Sequence, residues 1–233
     1  MALIDPSALQ TIEAPAMHIP DGFLSAPVAG AGFALTVAAV AVAVRRTNRT
    51  LGERSAPLMG VMAAFIFAAQ MMNFPVAGGT SGHLLGGALA AILLGPWAAI
   101  IVMSAVIGVQ ALMFQDGGLA ALGTNVFNMG VVTALLGYAV YAGTSRLANG
   151  RRLWLRQAGA FAAAWLTVQA SAALTAFELT VSDTSPLSVV LPSMMGVHAL
   201  IGIGEGLITA AALSFVTATR RDLLSTGVAV SEE

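Results

Sequence analysis

Long apolar runs separated by short polar segments dominate the chain, and most are close to the ~20 residues that a helix needs to cross a membrane. The run over residues 26–44 is uninterrupted, and the uncharged stretch over residues 84–114 is broken by Gly95 and Pro96. The pattern therefore predicts an all-α membrane protein with seven transmembrane helices, over residues 26–44, 57–72, 84–94, 97–114, 124–144, 157–177 and 191–217.

The third predicted helix, residues 84–94, is too short to span, because ~1.5 Å per residue covers only about half of a ~30 Å bilayer core. It follows the glycine-rich, uncharged segment NFPVAGGTSGH. Irregular backbone is tolerated at membrane depth only where it lines a protected cavity. We therefore expect a re-entrant loop that leads into a shortened or tilted helix.

The composition fits this pattern, since 58% of the residues are hydrophobic and 9% are charged, with a mean hydropathy of +0.86. A soluble domain would carry roughly a quarter charged residues, so the composition indicates a polytopic membrane protein. Cysteine is absent, which excludes a disulfide framework and a thiolate metal site.

All ten basic residues are arginines. They form three clusters, and positive charge favours the cytoplasmic side of a membrane. With all three clusters inside, the seven helices run with the N-terminus outside and the C-terminus inside, and residues 220–233 form a cytoplasmic tail. The clusters are Arg45, Arg46, Arg49 and Arg54; Arg146, Arg151, Arg152 and Arg156; and Arg220 with Arg221.

Three histidines, His18, His83 and His198, fall at or near the external face in this topology. If Met17 were the N-terminal residue, its amine, the amide nitrogen of His18 and the His18 Nδ1 could chelate one metal ion, and a further imidazole such as His83 would complete a planar set. Four nitrogens in a plane suit Ni(II) or Cu(II) and accommodate Co(II), unlike Zn(II), Mg(II) or Ca(II). The residues alone leave alternatives open: an incidental Met-His dipeptide, a His83 that caps a helix start, and a hydrogen-bonded His198 inside a helix.

Four sequence segments resemble those of a known protein family. They are MHIPDGFLS, MNFPVAGGTSGHLLGGALAAILLGPWAA, DGGLAALGTNVFNMG and GVHALIGIGEGLIT. In order and in content they closely resemble the substrate-binding membrane subunit of cobalt and nickel energy-coupling factor importers, the CbiM/NikM family. The resemblance runs from Met17 to about Ala210. It implies a six-helix core with an extra N-terminal helix that threads Met-His into the bundle.

The resemblance also implies the metal ligands, which are Met17, His18 and His83. His198 would at most orient these ligands, without binding the metal itself. Side chains that orient ligating imidazoles are usually needed, and those near in sequence are Asp21, Asn73, Thr80 and Ser81. Glu205 is an acid well inside a predicted helix, which makes it a functional candidate or a packing group. Asp116 and Asn125 flank a loop similar to the family's occluding loop.

The sixteen residues ahead of Met17 depart from this pattern, because the chelate requires a free methionine amine. Ala14-Pro15-Ala16 is similar to a cleavage site, but the segment lacks the basic and apolar regions of a signal peptide. We expect translation to start at Met17, so that residues 1–16 are a mis-annotated or removed extension and residues 17–219 form the metal-binding domain. A retained extension would remove the amine ligand.

The sequence thus predicts a transport subunit that captures Ni(II) or Co(II) as cargo in a bacterial or archaeal cytoplasmic membrane and holds no permanent cofactor. It has no phosphate-binding loop motif, so ATPase subunits, a transmembrane coupling subunit and a small accessory membrane protein are the expected partners, with membrane lipid and without nucleic acid. Two alternatives remain. One is an intramembrane serine protease that uses Ser81, in a G-x-S-x pattern, with His198 as base; the other is a passive metal permease.

Overall fold

The computed structural model describes residues 18–49, 55–72, 74–76, 80–147 and 153–220 of the 233-residue chain. Within these ranges it contains seven helices, at the positions where seven were predicted, and one short hairpin; five of the seven are long enough to be candidate membrane spans. A π-helical segment, Phe127–Val132, lies inside the fifth helix. In chain order the helices are α1 (Ala26–Thr47), α2 (Ser55–Gln70), α3 (Gly87–Leu94), α4 (Pro96–Phe114), α5 (Leu122–Leu147), α6 (Leu153–Val181) and α7 (Leu187–Thr219).

Five of these helices, α1, α4, α5, α6 and α7, are long and apolar enough to cross a membrane, and α2 is a shorter apolar helix. The chain is therefore a multi-pass membrane protein. The last two helices begin earlier and end later than the predicted residues 157–177 and 191–217, because polar residues at a helix end can lie at the membrane surface and need not interrupt the helix. As a result Glu178 lies in the last turn of α6, not in a loop, and His198 lies about three turns into α7, not within its first two.

The segment between α2 and α3 is a hairpin, not the irregular loop that the sequence suggested. Strands β1 (Phe74–Val76) and β2 (Thr80–Gly82) pair antiparallel, with Phe74 opposite Gly82 and Val76 opposite Thr80. Pairing satisfies main-chain N–H and C=O groups that would otherwise lack partners in apolar surroundings. The second strand leads directly to His83.

The short helix α3 lies inside the bundle, and its residues from Gly87 to Leu93 are all buried. It packs against α4, α5 and α6, so it has no polar face, as expected for a helix that is buried on all sides. At the crossing with α5, a Cβ on Gly137 would come within 2.9 Å of the Ala88 Cβ. Small residues thus let the helices approach closely where no hydrophobic effect favours their association.

Helix α1 crosses in direct contact with the N-terminal end of α5. A Cβ on Gly123 would lie 2.5 Å from the Cα of Phe33, and the Thr36 hydroxyl donates a 2.6 Å hydrogen bond to the Gly123 carbonyl. This crossing brings the N-terminal segment, residues 18–25, beside the loop of residues 115–121.

Candidate metal centre

The fold brings His18 and His83 together from distant parts of the chain. The Nδ1 of His18 lies 2.9 Å from the Nε2 of His83, and the two rings stack with their centroids 4.6 Å apart. Both residues are 2% exposed. The structure therefore pairs two of the three predicted ligands in a site closed to solvent.

The separation of the two nitrogens suits adjacent ligands of one metal ion. Two nitrogens at a typical metal–nitrogen distance of ~2.0 Å, at a right angle, lie about 2.8 Å apart. In a planar site that uses the amine of Met17 and the amide nitrogen and Nδ1 of His18, the fourth ligand lies opposite the amide nitrogen. It therefore occupies the corner next to the Nδ1. The observed 2.9 Å matches that arrangement.

Hydrogen bonding fixes the tautomer of His83. Its Nδ1 lies 2.9 Å from the carbonyl oxygen of Leu84, and because a carbonyl only accepts, this Nδ1 carries the proton. The Nε2 of His83 then presents a lone pair towards His18. Donation of the second ring nitrogen to a carbonyl is the usual way in which a protein orients a ligating imidazole.

The main chain next to His18 is held at both of its polar groups. The N–H of Ile19 donates to the Asn125 side-chain oxygen at 2.9 Å, and the Asn125 amide donates back to the Ile19 carbonyl at 3.1 Å. The N–H of Gly118 donates to the same carbonyl at 2.9 Å. Asn125, at the start of α5, thereby fixes the position of the segment that carries His18.

Asp21 fastens the same segment to the loop of residues 115–121. Its carboxylate accepts the N–H of Leu119 at 3.1 Å and that of Ala120 at 2.7 Å. A Cβ on Gly118 would overlap the Asp21 main chain and side chain, so only glycine fits there. Asp21 thus bonds the main chain of the loop, whereas its position in the sequence had suggested an imidazole partner.

Two further polar side chains border the imidazole pair. An oxygen of Asp116 lies 3.4 Å from the His18 Nδ1, where its charge would favour a bound cation. Gln110 on α4 is 0% exposed, and neither its amide nitrogen nor its oxygen has a hydrogen-bond partner in the described part of the chain; the same holds for the His18 Nε2. Gln110 is close enough to influence the His18 ring, so with a metal ion on the His18 Nδ1 its oxygen can accept the proton of the other ring nitrogen.

Both imidazoles are neutral in this environment. Burial lowers the pKa of His18 to about 4, which the Gln110 side chain partly opposes. Burial, followed by the neighbouring His18, lowers the pKa of His83 to about 3. Burial raises the pKa of Asp116. Because a metal ligand must offer a lone pair, neutral imidazoles are the form that a cation needs.

The described residues contain no group of three or more His, Cys, Asp or Glu side chains that could hold a metal ion. A centre at His18 and His83 therefore needs additional donors from the main chain, such as the His18 amide nitrogen or a terminal amine. Met17 lies outside the described residues.

The other predicted residues divide into three groups. His198 is buried, and its Nδ1 donates to the Met194 carbonyl at 2.7 Å, as in the helix-interior interpretation; it is near enough to lower the pKa of His83. Thr80 and Ser81 pair through their main chains in the hairpin, while their side chains, like Asn73, lie outside the described residues. Glu205 accepts hydrogen bonds from the main chain that follows His83.

Sequence reasoning missed Gln70 and Gln110. Gln70 on α2 is buried, and its amide donates to the Leu85 carbonyl at 2.6 Å. The available signal was a glutamine inside an otherwise apolar helix, where a polar side chain is costly without a partner. That signal does not reveal the partner, which comes from another part of the chain.

On the expectation that His18 and His83 bind a transition metal, replacing Asn125 with alanine should weaken Ni(II) binding about tenfold, because the residue orients the segment that carries His18. It should also lower stability by about 1–3 kcal/mol through unpaired main-chain groups. Competition titration and thermal unfolding of the purified protein measure the two effects. Asn128→Ala is the matched control, since Asn128 bonds Glu178 and Thr175 instead. Equal losses of metal affinity in both variants would contradict the assignment.

The helices and the buried imidazole pair define a class, that of multi-pass membrane proteins with an enclosed polar site. Within that class the chain belongs to the CbiM family, whose model, described as "Cobalt uptake substrate-specific transmembrane region", matches residues 18–223.

Individual relatives agree with this membership. The chain is 38% identical over 224 residues to the fused nickel transport protein NikMN of Rhodobacter capsulatus, covering 90% of this chain and 64% of that relative. It is 34% identical over 218 residues to the cobalt transport protein CbiM of Sorangium cellulosum, covering 89% and 94%. A crystal structure of a truncated transition metal transporter has a TM-score of 0.78 and 32% identity, covering 86% of this chain and 98% of that one. These are names of transport proteins, not of proteases as the Ser81 alternative would require.

Proposed function

We propose that this chain is the metal-capturing membrane subunit of an importer, with Ni(II) or Co(II) as its cargo. The observation that carries the proposal is the 2.9 Å approach of two buried, neutral imidazole nitrogens, from His18 and His83. Relatives named for nickel and for cobalt transport support the choice of cargo. A planar nitrogen set accepts either ion, so the ligands leave both metals as substrates.

The proposed ligands are the Met17 amine, the amide nitrogen and Nδ1 of His18, and the Nε2 of His83. The amine and amide nitrogens close a five-membered ring with the metal, and the amide nitrogen and Nδ1 close a six-membered ring. Asn125 and Gly118 hold Ile19, immediately after this chelate, so the site is organised before the ion arrives. Preorganisation of this kind reduces the ordering cost of binding.

The proposed orientation has the N-terminus outside and the C-terminus inside. Arg45 and Arg46 lie in the last turn of α1 and Arg146 in that of α5, so the positive-inside rule places both of these helix ends in the cytoplasm. The N-terminal segment and the loop of residues 115–121 then face outward. Capture occurs at the external face of a bacterial or archaeal cytoplasmic membrane.

Energy for import must come from partners, because the sequence lacks a phosphate-binding loop motif. We propose cytoplasmic ATPase subunits and a transmembrane coupling subunit, with a small accessory membrane protein. A passive permease would instead move metal into vesicles without any ATPase, which makes uptake with and without these subunits the experiment that separates the two mechanisms.

Titration of the purified protein, with Met17 verified as its first residue, is expected to load one Ni(II) or Co(II) per chain and no Mg(II). Four planar nitrogens should make the bound Ni(II) diamagnetic, with nitrogen-only coordination in X-ray absorption. Metal analysis measures the stoichiometry, and X-ray absorption spectroscopy measures the coordination. Octahedral, oxygen-rich coordination, or no stoichiometric binding, would refute the proposed site.

A further inference from the structure

Helix α7 contacts the chain on both sides of His83. On the N-terminal side, a Cβ on Gly82 would collide with the Ile201 side chain, so strand β2 lies directly on the helix there. On the C-terminal side, Glu205 reaches the main chain of Leu85 and Gly86. Residues four apart share one face of a helix, so a single face of α7 holds the segment that presents His83.

The Glu205 carboxylate uses both of its oxygens in this contact. Oε2 accepts the N–H of Leu85 at 2.7 Å, and Oε1 accepts the N–H of Gly86 at 2.9 Å. Glu205 is 2% exposed. Both distances are those of well-formed hydrogen bonds, and the two N–H groups lie at the N-terminal end of α3, where main-chain donors have no partner within the helix.

The same turn is held from the other side by α2. The Gln70 amide donates to the Leu85 carbonyl at 2.6 Å, and Ile66 packs so closely on Gly86 that a Cβ there would lie 2.9 Å from it. Gly86 has φ +79°, a conformation that favours glycine. The Leu85 N–H is therefore bonded to α7 and the Leu85 carbonyl to α2.

An apolar cavity of about 310 Å³ lies behind this turn, and its lining includes Leu84, Leu85, Gly86 and Glu205. Without the carboxylate, the Leu85 and Gly86 N–H groups would face apolar surroundings without a partner. Unpaired buried N–H groups are costly, so the turn would move to find new partners. The Leu84 carbonyl, which fixes the His83 tautomer, would move with it.

We propose that Glu205, assisted by Gln70, is a positioning residue for His83: it holds the Leu85–Gly86 turn so that the His83 Nε2 stays directed at the His18 Nδ1. This inference rests on the proposed metal-binding function of the imidazole pair. It assigns the intramembrane acid a role in metal affinity through the main chain, without contact with the metal.

The test is a double-substitution cycle on Ni(II) affinity with the purified full-length subunit. Glu205→Gln keeps the size of the side chain but turns an amide group towards one of the two N–H donors, and it should weaken binding about tenfold or more. In a His83→Ala background the same substitution should have no further effect, because the imidazole that Glu205 positions is gone. Ser214→Ala, which removes the interhelical bond from Gln157 further along α7, is the control and should leave affinity unchanged.

Unchanged affinity in Glu205→Gln would overturn the inference, as would losses that simply multiply in the double variant, since these mean a general effect on folding. If Glu205→Gln does not accumulate, Gln70→Met provides the same test through the Leu85 carbonyl, with the same required dependence on His83. Absence of Ni(II) and Co(II) binding by the unsubstituted protein would instead refute the proposed function, whatever the variants do.

Discussion

Replacing His83 with alanine is expected to weaken Ni(II) and Co(II) binding by at least about 100-fold, beyond the 10–100-fold typical of residues that only orient a ligand. The substitution removes the nitrogen that lies 2.9 Å from the His18 Nδ1, and the Asp116 oxygen 3.4 Å from that atom offers a carboxylate in place of a fourth nitrogen. The three remaining donors, on Met17 and His18, should retain weak and measurable binding. Competition with a coloured chelator measures the change.

His198→Ala is the matched control for this experiment. His198 is also buried, but its Nδ1 is bonded within α7 to Met194, so its loss should affect affinity much less. Gel filtration of both variants establishes that each is folded. A large loss for His198→Ala together with full affinity for His83→Ala would move the centre to α7 and contradict the proposed ligand set.

Placing one alanine ahead of Met17 is expected to weaken nickel binding by about 100-fold or more, as for a lost ligand. A residue in front of the methionine converts its amine into an amide, which no longer offers a basic lone pair, and the five-membered chelate ring is lost. The comparison is made between a chain that begins at Met17 and the same chain with the added alanine. Mass spectrometry verifies each terminus, and the same competition titration gives the affinities.

An alanine inserted between Leu223 and Leu224 is the matched control, because it adds the same residue at the predicted cytoplasmic tail. Equal affinity with a free and with an extended Met17 would remove the amine from the proposed ligands. The imidazole pair could then still bind metal, so this result and the His83 result are independent tests.

The helices were predictable because lipid imposes a simple length requirement. Apolar runs near ~20 residues must form helices that satisfy their own main-chain hydrogen bonds, and the break at Gly95 and Pro96 correctly separated α3 from α4. The ends were less certain, since polar residues continue a helix at the membrane surface. Helix α7, for example, begins at Leu187, ahead of its predicted start at residue 191, and passes through Pro192.

The surroundings of the site were not predictable in the same way. Asn125 pairs with Ile19, and Glu205 pairs with Leu85 and Gly86, and in each case the partner is a main-chain group that any residue possesses. The residue types in the sequence therefore do not indicate which main-chain group is the partner. Asp21 illustrates the consequence, because its nearness to His18 suggested an imidazole partner and the fold gave it the N–H groups of Leu119 and Ala120.

The sequence by itself determined the seven helices, the membrane solvent and the residue types that can bind a transition metal, since hydropathy and ligand chemistry are local properties. The family resemblance implied that His18 and His83 meet, and the tertiary structure gave the distance between them. Only the tertiary structure decided that a hairpin precedes His83 and that Asn125 and Glu205 hold the two segments in place. The physical reason is that these contacts depend on how closely glycine-rich helices approach one another. Small differences in the distance between helices decide whether the two imidazole nitrogens are close enough to bind one metal ion.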